Sequence, residues 1–345
     1  MPSSNEPRWA VAGLLALLLA ALFLPASYRL PPDEAYGYLP DPAGAAAFAA
    51  SLPAPTFAEA APDAIEKATP VDTFLWRAMD AAHRARYGTP WKCSNQKGVG
   101  SCVAHGAAHA VYCSEAVAWS IGQRSEPPLL ANQAAIYGGS RVEARGKGEG
   151  QGGYRDGSTG YHAAKWLREW GVIYKQQYPS VDCTNSGEQL EKAWGNWGCG
   201  GEGDDGRLDN EARKVPCLHV AKVSNTDELI AALMSGHPCT LASSQGFTRT
   251  LDADSFASPS GVWMHQMACI GYRTPASGRE GFAIVNSWGS YISYTAPRWP
   301  SDLPDGVFWC DPKTMQRILS QGDCWVISEV KLEYRDIHHN EWLMQ

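Results

Sequence analysis

The stretch from Asn95 to Trp119, NQKGVGSCVAHGAAHAVYCSEAVAW, constrains this chain more than any other. Gly98 and Gly100 mark a loop, after which Val103, Ala107, Ala110, Val111 and Ala118 recur at helical spacing. Cys102 falls where the loop becomes the helix. A thiol at that point faces the positive end of the helix dipole, which favours thiolate and so a nucleophile. The plain alternative is a buried cysteine acting as small apolar filler.

Two later stretches bear on that choice. GVWMHQMACIGY contains His265, and FAIVNSWGSYIS contains Asn286. Taken singly, a histidine beside an apolar strand reads as a core residue and Asn-Ser-Trp as a turn. Their joint order and spacing are what single them out, with Gln96 ahead of Cys102, then His265 and Asn286.

Together these stretches resemble the papain-like, cathepsin-type cysteine peptidases. Gln96 stands six positions before Cys102, Gly100-Ser101-Cys102 matches the family's GSC, and Asn286-Ser287-Trp288-Gly289 is identical to its NSWG. His265 opens an apolar run ending in Gly271-Tyr272, like the family's histidine strand. His265 and Asn286 lie 163 and 184 residues beyond Cys102, against a family spacing of about 130–150, which insertions between the halves absorb. The resemblance covers roughly Val71 to Glu329. It implies that Cys102 attacks a peptide carbonyl, that His265 pairs with the thiolate and protonates the leaving amine, and that Asn286 orients the imidazole. Trp288 would shield that contact, while the Gln96 side-chain N–H and the Cys102 backbone N–H would form the oxyanion hole. It implies no cofactor and no metal.

Some positions depart from the family pattern. Val103 replaces the usual tryptophan after the nucleophile, His105 a phenylalanine and Gln266 an alanine. Met264 stands where Asp or Asn is common, and Val99 where a half-cystine usually lies. These changes bear on the substrate pocket more than on the triad. For the substrate-binding glycine loop, Gly157-Ser158 is preferred over Gly152-Gly153.

The rest of the chain fits two lobes. VDTFLWRAMDAAHRARY and Gly160 to Trp170 have helical periodicity, the latter with Ala163, Ala164, Leu167 and Trp170 inward. From Leu218 the texture turns to strands, in CLHVAKV, CTLASS, GVWMHQMACIGY and GFAIVNSWG. Helices first and sheet later give an α+β class, with a helical N-terminal lobe, an antiparallel C-terminal lobe and a cleft between. GEGDDGRLDNE is expected as a solvated acidic loop rather than a calcium site, and His338-His339 as a solvated tail.

Three segments follow. Residues 1–26 carry the apolar run Trp9 to Ala26, at the border between a secretory signal and a membrane anchor. Residues 27–70 are rich in Ala and Pro and are expected as a mostly extended tether, with a short pro-segment plugging the cleft as the alternative. Residues 71–345 are expected to form the peptidase domain. Ten cysteines point to an oxidising compartment and to disulfide staples around Cys183, Cys199 and Cys217. The expected location is therefore secreted or membrane-anchored, with the catalytic domain outside the cytoplasm. A net charge of −7 argues against nucleic acid as a partner, and the expected partner is a peptide or protein substrate. The leading reading is a cysteine-type peptidase. The alternatives are a catalytically inactive peptide-binding module on the same fold, or a related thiol amidase or acyl-transferase.

Overall fold

The computed structural model describes residues 36–338, apart from 154–155, 216–218 and 295–296. The apolar run Trp9 to Ala26 lies outside the described residues, as do Cys217 and His339. Among the described residues no helix is long and apolar enough to cross a membrane.

The N-terminal part contributes three short helices, α1 (Pro42–Ser51), α2 (Phe57–Ala60) and α3 (Pro62–Lys67). The extended-tether expectation is therefore corrected. Pro42 and Pro62 stand at helix starts, where the missing N–H costs nothing, and Asp41 and Thr56 cap the first turns of α1 and α2. Phe48 and Phe57 are buried and anchor these helices to the body.

A short strand β1 (Thr73–Phe74) leads into α4 (Trp76–Tyr87), then the central helix α5 (Cys102–Ser120). Helices α6 (Gln133–Arg141), α7 (Gly160–Glu169), α8 (Glu188–Trp197) and α9 (Arg207–Ala212) complete the first lobe. In α7 the fully buried indole is Trp166, while Trp170 closes the helix only half-buried. The stretch expected as a solvated acidic loop contains α9, and two of its carboxyls, Asp204 and Asp209, are buried. The second lobe holds β2 (His219–Lys222), α10 (Thr226–Met234), β3 (Cys239–Phe247), β4 (Thr250–Leu251) and β5 (Pro259–Arg273). It ends with β6 (Gly281–Val285), β7 (Ser293–Tyr294), β8 (Val307–Cys310), α11 (Pro312–Leu319) and β9 (Asp323–Ser328).

The main sheet runs β2-β9-β3-β5-β6-β8, with β1 also pairing to β5 and every pairing antiparallel. The architecture is α+β in two lobes, each with its own apolar cluster. One surrounds Trp76, Phe282 and Trp309 on the sheet side, and the other Val103, Tyr137 and Trp166 on the helical side. Helix α5 serves both: Tyr112, Cys113, Ala116 and Val117 join the first cluster, while Cys102, Val103, Ala107 and Val111 join the second. Every residue from Cys102 to Ala118 is buried, so no polar face was needed. Small side chains let the sheet close on the helix. A Cβ added to Gly106 would lie 3.0 Å from the Met267 carbonyl oxygen.

The nine described cysteines are all free thiols, and all but Cys93 are buried. The disulfide expectation is corrected for them: cysteine here packs as a small apolar side chain.

Candidate active site

Cys102 opens α5, and Ser101 is its N-cap. The thiol is completely buried. Burial pushes it up to about 12, against the pull of the backbone N–H groups of Gln266, Gly37 and Val103; the Asp156 carboxylate adds to the rise. The expected dipole-stabilised thiolate is therefore corrected for this conformation. Desolvation of a full charge outweighs the partial charges of a helix end, and Cys102 is a neutral thiol at neutral pH.

His265 lies on β5 opposite Ser243 of β3, where the register shifts toward Gln245. Such irregularities bend a strand and re-aim its side chains. Its Nε2 stands 2.7 Å from Asn286 Oδ1, while its buried Nδ1 has no hydrogen-bond partner. Burial lowers this imidazole to about 4, opposed by the Asn286 hydrogen bond and helped by the His105 charge. The ring is neutral at neutral pH, so its Nε2 carries the hydrogen donated to Asn286 and its Nδ1 is left as the acceptor.

Asn286 follows directly after β6. Its Oδ1 also accepts the Ser287 N–H at 2.6 Å, and its amide donates to the Tyr291 hydroxyl at 2.8 Å. Both ends of the carboxamide are thus fixed, which sets its orientation. The Trp288 ring lies 4.6 Å from the His265 ring, centroid to centroid, and covers it. Gln96 is held across the lobes: its backbone N–H donates to the Ser287 carbonyl, and its Oε1 accepts from the Ser287 hydroxyl. Its side-chain N–H donates to the Val99 carbonyl at 2.7 Å.

Sequence reasoning missed a polar chain behind Cys102. Glu191 of α8 accepts from the Ser101 hydroxyl and lies 3.2 Å from His105 Nε2. His105 Nδ1 meets the Ser94 hydroxyl at 2.7 Å, which in turn lies 2.6 Å from His109 Nε2. The departure at position 105 is thus explained: a buried imidazole ties α5 to α8. Nothing local in the sequence pairs His105 with a carboxylate on a distant helix.

Residues 36–39 cross the groove beside Cys102. The Gly37 and Tyr38 N–H groups donate to the Met264 carbonyl at 3.2 and 2.9 Å. On the other side Ser158 N–H donates to the Gly37 carbonyl, and Leu39 N–H to the Ser158 carbonyl, each at 2.8 Å. Ser158 is thereby paired as a strand partner, and Gly157 adopts a φ of +100° next to it. The Arg141 guanidinium donates to the carbonyls of Gly152, Gly153 and Gly157 alike, so the pairing with residues 36–39 is what sets Gly157-Ser158 apart from the alternative glycines. The Tyr36 ring stacks near Trp263, Trp288 and His265, with centroids 6.4, 5.8 and 6.2 Å away.

Cysteine proteases are among the solved structures this chain is similar to. Xylellain, a cysteine protease from Xylella fastidiosa, is 20% identical, covers 88% of this chain and 96% of its own, and superposes with a TM-score of 0.49. The bromelain protease from Ananas comosus in complex with the E64 inhibitor is 17% identical over 75% of this chain and 99% of its own, with a TM-score of 0.42. The procathepsin B of Trypanosoma congolense is 12% identical over 75% of this chain and 77% of its own, with a TM-score of 0.44. No protein-family model matches the chain, and no curated protein sequence matches it.

Proposed function

We propose that the chain is a cysteine-type peptidase in a latent conformation, with Cys102, His265 and Asn286 as its triad. The observation that carries this is the His265–Asn286 contact at 2.7 Å, with the opposite ring nitrogen buried and unpartnered. An imidazole held in that tautomer is ready to take a thiol proton at Nδ1. Once the groove opens and water or substrate replaces residues 36–39, the thiol proton passes to His265. The Cys102 thiolate then adds to the peptide carbonyl, and the imidazolium protonates the departing amine. Water hydrolyses the acyl-enzyme by the reverse proton path. The Cys102 backbone N–H and the Gln96 side chain would stabilise the oxyanion, the latter after leaving the Val99 carbonyl.

Residues 36–39 supply the latency. They bury the thiol and occupy the backbone groups of Ser158 and Met264 that an extended peptide would use. The pro-segment alternative for residues 27–70 is therefore preferred to a tether. The apolar run Trp9 to Ala26 supports export of the remainder, which protease accessibility in intact cells would test.

A vinyl-sulfone peptide tests the proposal. Cys102 should be alkylated in the native protein once the segment is displaced, and Cys102→Ala should abolish both labelling and peptide hydrolysis. The second reading, an inactive binding module, is favoured by the neutral, fully buried thiol. It requires that displacing the segment yields peptide binding without turnover.

A further inference from the structure

The residue that fills the groove also shows what the groove accepts. Tyr38 is buried to 4% exposure although it lies in a segment that crosses the surface between the lobes. Its side chain joins the cluster of Phe48, Tyr161, Ala242 and Trp325, and its hydroxyl faces the carboxyl of Asp323. Asp323 is fully buried at the start of β9. It accepts the Gly160 N–H at 2.9 Å and the Trp325 indole N–H at 2.6 Å.

A second acceptor stands beside it. Gln266 donates its amide to the Val103 carbonyl at 2.9 Å, which turns its Oε1 the other way, and that oxygen is buried without a partner. A Cβ placed on Gly160 would lie 2.8 Å from both Asp323 Oδ1 and Gln266 Oε1, so both oxygens flank Gly160. A buried acceptor without a donor is costly. A pocket with one carboxyl and one unfilled carboxamide oxygen therefore favours any side chain that brings donors to its floor.

We infer that the pocket filled by Tyr38 is a side-chain subsite selecting a substrate residue with hydrogen-bond donors at its tip, lysine or arginine foremost, with Asp323 and Gln266 as the selecting groups. The inference deepens the peptidase reading and rests on it. Lysine and arginine reach as far as tyrosine and carry several donors, against the single hydroxyl of Tyr38. Among the described residues no cation pairs with the Asp323 carboxyl, which burial lifts to about 6. A substrate ammonium or guanidinium would supply one and add a charge-assisted bond between opposite charges. Leucine would fill the volume and offer neither Asp323 nor the unpartnered Gln266 Oε1 a donor in place of the Tyr38 hydroxyl.

The test uses the full-length chain and vinyl-sulfone peptides that differ only in carrying lysine, leucine or glutamate at each residue before the reactive group in turn. At one position the lysine reagent should inactivate about tenfold faster than the leucine reagent, the factor a charge-assisted hydrogen bond is worth. Glutamate should be slowest. Asp323→Asn keeps an oxygen for Gly160 while removing the charge, and should cut the lysine preference about tenfold. Leucine equal to or faster than lysine at every position in the wild type would overturn the inference while leaving the peptidase reading intact. If no reagent labels native Cys102, in wild type or in a Tyr38→Ala variant, while the unfolded thiol is labelled, the peptidase reading fails and the inference with it.

Discussion

The imidazole of His265 and the carboxamide of Asn286 meet at 2.7 Å across two antiparallel strands, with no other hydrogen bond to the ring. Asn286 is therefore a positioning residue: it fixes which nitrogen of His265 carries the hydrogen. Asn286→Ala should lower kcat by roughly tenfold to a hundredfold, the rate equivalent of about 1.5–3 kcal/mol for a hydrogen bond to a charged partner. KM should move little, because the lost contact strengthens as the imidazolium forms. Steady-state kinetics would decide. A change confined to KM would assign Asn286 to substrate binding instead.

Gly37 closes the groove by having no side chain. A Cβ there would lie 1.9 Å from the Gly100 carbonyl oxygen, in the loop leading to Cys102. Overpacking of this kind costs about 1–3 kcal/mol. Gly37→Ala should therefore raise the open population and the rate of Cys102 alkylation at pH 7 by roughly tenfold or more. An unchanged rate would show that residues 36–39 do not control access.

Glu115 gives a pH signature away from the site. It is buried in α5 beside Tyr174, and burial, with the Glu329 charge, lifts it to about 8, partly offset by Arg124 and Tyr174. The folded chain thus keeps a proton that the unfolded chain releases near 4.5. Across that window the native state binds more protons, so this group lowers stability as pH rises. Glu115→Gln should become progressively more stable relative to wild type from pH 5 to pH 8 in thermal melts. A constant difference across that range would refute the assigned protonation.

The unpaired cysteines make a simple prediction. Since the nine described thiols form no disulfide, adding a reductant should leave the melting temperature unchanged. A fall of several degrees would reveal a staple.

The sequence made the lobes, the central helix and the His265 strand legible, because each depends on local periodicity. Cys102, His265 and Asn286 were legible through their motifs. Tyr38, Glu191 and Asp323 were not, since each matters through contacts with residues far away in the chain. The Ala and Pro content of residues 27–70 pointed to an extended tether because composition does not register that Pro42 and Pro62 open helices, or that Asp41 and Thr56 cap α1 and α2. Dipole reasoning at Cys102 pointed to a thiolate because burial by a segment ending some sixty residues upstream leaves no local trace. The cysteine count likewise did not separate half-cystines from apolar filler.

Peptide hydrolysis by full-length Gly37→Ala, run beside Gly37→Ala/Cys102→Ala, addresses the proposed function most directly. Turnover of peptides by the first and its loss in the second is the expected result. An open variant whose Cys102 is readily alkylated, yet which cleaves no peptide, would contradict it.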